Sequence, residues 1–253
     1  MGTSSTAVEI FVDEEAMAGT FLAPRNKVPG VLFVHGWGGS QERDLDRARG
    51  IAGLGCVCLT FDLRGHIKSS PRQQTVTRDE NLRDLLSAFD CLHRHPAIDT
   101  HAIAVVGTSY GAYLSAILTT LRPVRWLSLR VPSLYRDEQW DTPKRKLDRE
   151  DLAQYRSGLV PATDNRALMA CLQFRGDVLI VESENDHLVP HATIMSYRAA
   201  FQNSHSLTHR VIDGADHGLT DKAAQQAYTS ILVGWITEMV VGARVGNRQR
   251  WPA

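Results

Sequence analysis

The segment VVGTSYGAYLSA, residues 105–116, places Ser109 between Gly107 and Gly111, where an apolar run ends and a helical pattern begins. A tight turn between a strand and a helix lifts the side chain at its tip to the rim of a sheet. Small residues two positions before and after the tip relieve the crowding of such a turn. The segment predicts a strand, a strained turn and a helix, with Ser109 as a candidate nucleophile. Glycine and serine also occur in ordinary turns, so this segment alone leaves both interpretations open.

Strand-like and helix-like segments alternate along the rest of the chain. Two alternating stretches that begin at Val8 and Gly19 predict an antiparallel hairpin at one edge of a sheet. Apolar runs of strand length follow at 31–34, 56–61, 102–107, 125–131, 178–183 and 209–213. Amphipathic helical patterns lie between these runs. The order predicts an α/β fold with one mostly parallel, eight-stranded sheet and helices on both faces.

Length and composition limit the classes of function. A chain of 253 residues suffices for one large core, so we predict a single domain over residues 1–253. Lys and Arg together number 28, and so do Asp and Glu, so no net charge favours nucleic acid or an anionic membrane as a partner. No run has the length of a membrane span or the pattern of a signal peptide. We therefore expect a cytoplasmic protein, and the sequence leaves open whether it forms a homodimer.

Metal and cofactor motifs are missing from the sequence. The four cysteines show neither a CxxC pair nor a metal spacing, and no group of histidines provides a third ligand beside a pair. No GxGxxG follows a predicted strand, and no GxxxxGK occurs. We expect a protein without a bound metal or cofactor.

Residues that can carry chemistry follow the predicted strands, where ligands of such sheets bind. The segments are HGWGG at 35–39, DLRGH at 62–66, Ser109, NDH at 185–187 and DHG at 216–218. A serine hydroxyl becomes a nucleophile when a histidine takes its proton, and the histidine needs a carboxylate to fix its tautomer. Ser109, Asp186 and His217 can supply these three roles, in that order along the chain.

With these residues in place, the chain resembles the α/β-hydrolase family over nearly its whole length. GTSYG fits the GxSxG nucleophile turn of that family, Asp186 in ENDHLVP resembles its acid, and His217 in GADHGLT resembles its histidine. GxSxG alone is common by chance, whereas the three together in order are not. The resemblance implies an oxyanion hole formed by the backbone N–H groups of Trp37 and Tyr110. A glycine-rich loop that merely turns the chain is the alternative for the segment that contains Trp37.

The segment DLRGHIKSS, residues 62–70, also resembles a motif of the family. There the motif is mostly structural, so Asp62 and Arg64 are expected to brace the loops behind the active site. Ile67 stands where the family usually has a second glycine. This difference affects the expected turn and leaves the triad untouched.

One stretch departs from the alternation of strands and helices. Residues 132–172 are rich in charge and contain Trp140, Tyr135 and Tyr155 with little apolar periodicity. We predict a short cap-like insertion after strand six that lies outside the core and places these aromatic side chains against the substrate. The alternative is a solvated surface excursion, which charged segments usually are.

The resemblance implies a serine hydrolase that forms an acyl-enzyme at Ser109 and needs no cofactor. The expected substrate is a small-molecule carboxylic ester, with a thioester or an amide as related substrates. Chain length and insertion size most resemble small-cap carboxylesterases, including feruloyl and cinnamoyl esterases. The second interpretation is an aminopeptidase or acyl-peptide hydrolase of the prolyl-oligopeptidase type. The third is a catalytically silent binding protein with the same fold.

Overall fold

One sheet organises the part of the chain that the computed structural model describes, which is residues 4–13, 15–23, 28–66 and 71–248. Within these ranges the strands are β1 (Ser4–Val12), β2 (Glu15–Ala23), β3 (Val28–Val34), β4 (Val57–Phe61), β5 (Ile98–Thr108), β6 (Trp126–Arg130), β7 (Asp177–Ser183) and β8 (Ser206–Ile212). Their spatial order is β1-β2-β4-β3-β5-β6-β7-β8. The pairs β1–β2 and β2–β4 are antiparallel, and the other neighbours are parallel. The predicted fold class is confirmed, whereas the prediction about Ile67 lies outside the described residues.

Helices cover both faces of this sheet. They are α1 (Glu42–Gly53), α2 (Arg78–His93), α3 (Tyr110–Leu118), α4 (Arg149–Ser157), α5 (Arg166–Gln173), α6 (His191–Ala200) and α7 (Lys222–Arg248). Apolar residues of α2, α3, α5 and α6 form one core cluster with the sheet, and those of α1 and α7 form the other. None of the helices in the described ranges combines the length and the apolar character that crossing a bilayer requires.

Strand β3 shows why the central strands have no polar face. Successive side chains of a strand point to opposite faces of the sheet. Leu32 and Val34 therefore belong to the core cluster on one face, and Val31 and Phe33 belong to the cluster on the other. Because both faces are covered, the strand is continuously apolar.

The two glycines around Ser109 allow close approach of backbone segments. A Cβ atom added to Gly107 would lie 2.6 Å from the Cα of Ala112 in α3. One added to Gly111 would overlap the carbonyl oxygens of Val34 and His35. Both contacts would be much closer than van der Waals contact. Only glycine at these two positions therefore allows α3 to begin directly after Ser109 and to lie against β3 and β5.

The segment between β6 and β7 is folded and contributes to the core, which corrects the expectation that residues 132–172 lie outside it. It contains α4, most of α5 and short 3₁₀ turns. Several of its apolar side chains are buried in the same cluster as α2 and α3, namely Leu134, Tyr135, Leu147, Leu168 and Cys171. They are scattered among charged residues, so the amphipathic pattern of the segment is weak in the sequence.

Substitution of Gly111 tests the close approach of α3. Gly111→Ala should lower the free energy of unfolding by at least about 2 kcal/mol, because the new methyl group meets two backbone oxygens that cannot move freely. Gly234→Ala is the matched control, since Gly234 lies exposed in α7 with open space around its added Cβ. There alanine should stabilise the helix by up to about 1 kcal/mol. Urea unfolding of the two variants measures both effects, and equal stabilities would contradict this account of the turn.

Candidate active site

Ser109 lies at the tip of the turn between β5 and α3. Its backbone has φ 53° and ψ −111°, in a region that non-glycine residues rarely occupy. Its N–H donates to the carbonyl of Arg130 at 2.8 Å, and its carbonyl accepts from the N–H of Ser133 at 3.1 Å. The predicted strained turn is confirmed, and hydrogen bonds to the end of β6 and to the residues after it hold the turn in place.

Asp186 and His217 meet beyond the ends of β7 and β8. Nδ1 of His217 is 2.6 Å from Oδ2 of Asp186, and Oδ1 of the same carboxylate accepts from the backbone N–H groups of Leu188 and Val189, both at 2.8 Å. With both carboxylate oxygens engaged, the orientation of Asp186 is fixed. A histidine that donates through Nδ1 keeps Nε2 as an acceptor, which is the tautomer that a general base requires.

The hydroxyl of Ser109 is oriented towards Ser133. The two Oγ atoms are 3.0 Å apart, and among the described residues Ser109 Oγ has no hydrogen bond with His217. Ser109 and His217 nevertheless line one cavity. A serine hydroxyl moves between staggered positions by rotation about χ1, and catalytic hydrogen bonds often form only once substrate is bound. The structure thus places Ser109 and His217 on one cavity, with the Ser109 hydroxyl oriented towards Ser133.

Ser133 is a site residue that the sequence analysis missed. Its side chain is buried, and its backbone carbonyl accepts a hydrogen bond from the hydroxyl of Tyr197 at 2.8 Å. It follows Val131, which has a φ of 39°, a rare value for a β-branched residue. The only sequence signal for Ser133 is its position just after strand six, where a polar residue faces the nucleophile turn.

The expected oxyanion donors lie on either side of Ser109. The backbone N–H groups of Trp37 and Tyr110 have no acceptor within the described parts of the chain. The loop that carries Trp37 passes over the nucleophile, because a Cβ atom added to Gly36 would lie 3.3 Å from the Cβ of Ser109. The rings of Trp37 and Tyr110 are in edge contact, with centroids 5.5 Å apart. Tyr110 also begins α3, whose N-terminal dipole favours negative charge at this place.

The loops behind the site are braced as the resemblance implied. Oδ1 of Asp62 accepts from the backbone N–H of Gln41 at 2.8 Å. Nε of Arg64 donates to the buried carboxylate of Asp84 at 2.5 Å. His35, at the start of the glycine-rich loop, accepts through Nε2 from a backbone N–H of the segment that contains Asp62 and Arg64. The glycine-rich loop is therefore fixed to the loop after β4.

His66 packs against the glycine-rich loop as a neutral ring. It is buried, its centroid lies 4.4 Å from that of Trp37, and its Nδ1 is 3.0 Å from the carbonyl oxygen of Arg64. Burial, with a smaller contribution from the neighbouring His35, lowers the pKa of His66 to about 3. His66 therefore cannot accept a second proton at neutral pH without disturbing this packing.

A cavity of about 550 Å³ opens beside Ser109 and His217. Its lining comes from the loop after β3, from α1, from the ends of β5 and β6, from residues 217–220 and from α7. Most of these side chains are charged or polar. No residue of 132–172, a range that the structure describes completely, belongs to this lining.

The three aromatic residues predicted as pocket walls contact other protein groups instead. Tyr135 is 2% exposed and packs edge-on against Tyr110 and Tyr113, at centroid distances of 5.8 and 4.9 Å. The indole N–H of Trp140 donates to Asp79 at 3.2 Å. The hydroxyl of Tyr155 accepts from Asn165 at 3.2 Å. The prediction that these side chains form the walls of the substrate pocket is therefore corrected for this cavity.

Arginines explain the placement of these rings. The guanidinium carbon of Arg166 lies 4.6 Å from the ring centroid of Trp140, that of Arg136 lies 4.5 Å from Tyr155, and that of Arg156 lies 4.8 Å from Tyr135. Arginine is attracted to the face of an aromatic ring within about 6 Å. The arginines, whose charges suggested that residues 132–172 are solvated, thus pack against the aromatic side chains of this segment.

Residues 132–172 also contact the glycine-rich loop. Nζ of Lys144 lies 4.4 Å from the ring centroid of Trp37 and 5.5 Å from those of Tyr110 and Tyr135. Burial lowers the pKa of Lys144. Through Lys144 the segment supports the loop that carries an expected oxyanion donor.

Comparison with known proteins agrees with this architecture. Residues 31–228 match the Alpha/beta hydrolase family, so the chain belongs to that family. Comparison with curated protein sequences finds no significant match.

Solved structures with the same fold have low sequence identity to this chain. An esterase from Pyrococcus furiosus has 17% identity over 93% of each chain, with a TM-score of 0.70. A dienelactone hydrolase from Anabaena variabilis has 19% identity over 93% of this chain and 98% of its own, with a TM-score of 0.67. An acylaminoacyl peptidase from Pyrococcus horikoshii has 14% identity over 94% of this chain and 42% of its own, with a TM-score of 0.71. At these identities the likeness shows a shared fold.

The buried neutral state of His66 predicts that the fold loses stability in acid. In the unfolded chain the ring is protonated below about pH 6.5, whereas in the folded state it is protonated only below about pH 3. The unfolded state therefore binds more protons between these values, and the free energy of unfolding falls as the pH falls.

His66→Gln should remove this contribution. Between pH 7 and pH 5 the wild type should lose about 1 to 2 kcal/mol more unfolding free energy than the variant, measured by urea denaturation at both pH values. His101→Gln, at an exposed histidine, should keep the wild-type pH dependence. A variant with the same acid sensitivity as the wild type would show that His66 does not contribute.

Proposed function

We propose that the chain is a serine hydrolase that cleaves carboxylic esters of small molecules through an acyl-enzyme at Ser109. One observation carries the proposal. Ser109 on its strained turn, His217 with its carboxylate partner, and Trp37 all line one cavity. Among the described residues, the backbone N–H groups of Trp37 and of Tyr110, which directly follows Ser109, have no acceptor. These are the parts that acyl transfer needs, namely a nucleophile, a base with its orienting acid, and an oxyanion site.

The proposed reaction begins with acylation. Oγ of Ser109 attacks the ester carbonyl carbon while Nε2 of His217 takes the hydroxyl proton, and Asp186 stabilises the imidazolium that forms. The negative charge on the carbonyl oxygen is stabilised by the backbone N–H groups of Trp37 and Tyr110. His217 then returns its proton to the departing alcohol, which leaves the acyl group bound to Ser109.

Water completes the cycle. His217 takes a proton from a water molecule, whose oxygen attacks the acyl carbonyl carbon. The second tetrahedral intermediate uses the same oxyanion site. As it collapses, the acid product leaves and the proton returns to Ser109 through His217, so the free enzyme is restored without a cofactor.

A peptidase is the second candidate. The fold match to an acylaminoacyl peptidase supports it, although this chain spans only 42% of that protein. An amide requires more complete protonation of its leaving group than an ester with an activated alcohol does. A panel of p-nitrophenyl acyl esters and aminoacyl anilides separates the two, and inactivity towards all of them would favour a binding protein with this fold.

Covalent labelling tests the nucleophile. A fluorophosphonate probe should label the wild type, because an activated hydroxyl beside an oxyanion site attacks phosphorus as it attacks a carbonyl carbon. Ser109→Ala should abolish labelling, and His217→Ala should slow it by orders of magnitude. Ser133→Ala is the matched control, since it removes the neighbouring hydroxyl and should still label. Labelling that survives in Ser109→Ala and disappears in Ser133→Ala would show that Ser133, and not Ser109, is the nucleophile.

The position of Trp140 predicts a structural effect and little change in substrate choice. Trp140→Ala should lower the free energy of unfolding by about 2 to 4 kcal/mol, because a half-buried indole loses its contacts with two arginines and with Asp79. The ratio of kcat/KM between p-nitrophenyl acetate and p-nitrophenyl octanoate should stay within about threefold of the wild type, since the side chain does not reach the cavity. A large change in that ratio, without a loss of stability, would show that Trp140 contacts the substrate.

A further inference from the structure

The inner wall of the cavity beside Ser109 carries two arginines on one tyrosine ring. Arg130 ends β6, Arg47 lies in α1 and Tyr228 lies in α7. The guanidinium carbons of Arg130 and Arg47 are 5.5 and 4.9 Å from the ring centroid of Tyr228. All three residues line the same cavity as Ser109 and His217. Two cationic groups thus share one space with the proposed nucleophile.

Arg130 is a buried cation whose charge is not paired with a carboxylate. It is 6% exposed, and its Nη2 donates to the backbone carbonyl of His217 at 2.9 Å. Its Nη1 is buried and has no hydrogen-bond partner within the described ranges. Burial lowers the pKa of Arg130. An unpaired buried charge is strongly unfavourable, so a group from outside the fold that supplied negative charge here would gain a large electrostatic stabilisation.

Three acidic residues near the cavity are engaged elsewhere, and a fourth, Glu42, is an exposed residue of α1 in the cavity lining. Asp44 is buried and forms an ion pair with Arg47 at 3.1 Å. Asp46 pairs with Arg49 at 2.7 Å on the exposed side of α1. Asp186 is bound to His217. Arg47 also keeps a buried Nε without a partner among the described residues. The two arginines therefore provide more donors than the nearby carboxylates use.

We infer that Arg130 and Arg47 form a subsite for a carboxylate of the substrate, so that the ester cleaved at Ser109 carries a free carboxylate near its scissile bond. A planar guanidinium binds a carboxylate through parallel N–H···O bonds, which give orientation as well as affinity. The ring of Tyr228 contacts both guanidinium groups. This inference rests on the proposed function, because it names the class of substrate that the same site accepts.

Paired substrates that differ only in charge test the subsite. In the first pair, 4-acetoxybenzoate and 4-acetoxybenzamide, the carboxylate lies on the alcohol part. In the second pair, p-nitrophenyl hydrogen adipate and the corresponding monoamide, it lies on the acyl part. The quantity of interest is the ratio of kcat/KM for the acid to that for the amide. In at least one pair the wild type should prefer the acid by about 10- to 100-fold, as expected for a charge-assisted hydrogen bond.

Arginine variants connect this preference to the subsite. Arg130→Gln should lower the rate for both members of a pair, because it removes the hydrogen bond to the His217 carbonyl, and should in addition bring the acid-to-amide ratio near one. Arg47→Gln, which has no contact with His217, should lower the ratio by about tenfold. Arg49→Gln is the matched control on α1, since its side chain is 58% exposed and lies outside the cavity lining. It should keep the wild-type ratio.

A binding measurement separates failure of this inference from failure of the proposed function. In the Ser109→Ala protein, calorimetry should show that 4-acetoxybenzoate binds at least about tenfold more tightly than its amide, and that an added Arg130→Gln removes the difference. If fluorophosphonate labelling of the wild type failed while this preference held, the proposed chemistry would be wrong and the subsite would stand. Equal binding of acid and amide, or Arg130→Gln lowering both rates without changing their ratio, would overturn the subsite and leave Arg130 as a support for His217.

Discussion

The left-handed backbone at Ser109 is the constraint on which the site depends. A residue with φ of 53° and a Cβ atom stays in that region only when its surroundings enforce it. Here the N–H and the carbonyl of Ser109 are both bound to the segment that runs from Arg130 to Ser133. The neighbouring glycine positions let β3, β5 and α3 come close enough to hold the turn. The packing of several elements is thus used to keep one hydroxyl at the rim of the sheet.

Strain of the same kind recurs at the neighbouring strand ends. Val131 follows β6 with a φ of 39°, and Leu219 follows the proposed catalytic histidine with a φ of 50°. The first turn precedes Ser133, whose hydroxyl lies 3.0 Å from that of Ser109, and the second follows His217, which lines the cavity. Backbone strain of this type costs of order 1–3 kcal/mol per residue and persists where the surrounding structure determines it. Two of these three strained residues, Ser109 and Leu219, line the same cavity, which is independent support for locating function there.

Much of the fold and the proposed triad could be predicted because their signals are local. Apolar runs of strand length alternate with amphipathic helices, and Ser109, Asp186 and His217 each follow a strand within a short recognisable segment. The burial of side chains within 132–172 was not predicted, because it depends on partners far away in the sequence. Arg78 of α2, for example, lies 5.4 Å from the rings of both Tyr135 and Trp140. The position of Arg130 beside the cavity could not be predicted for a similar reason, because its ring partner Tyr228 comes nearly a hundred positions later.

The contact between Lys144 and Trp37 links the segment between β6 and β7 to the rate of the proposed reaction. The ammonium group lies over the ring of the residue whose backbone N–H is an expected oxyanion donor. Small displacements of such a donor change transition-state stabilisation much more than ground-state binding. Divergence within this segment during evolution, or its exchange between relatives in the laboratory, would then adjust turnover while leaving the choice of substrate to α1, β6 and α7. The two properties could be selected separately because different parts of the chain encode them.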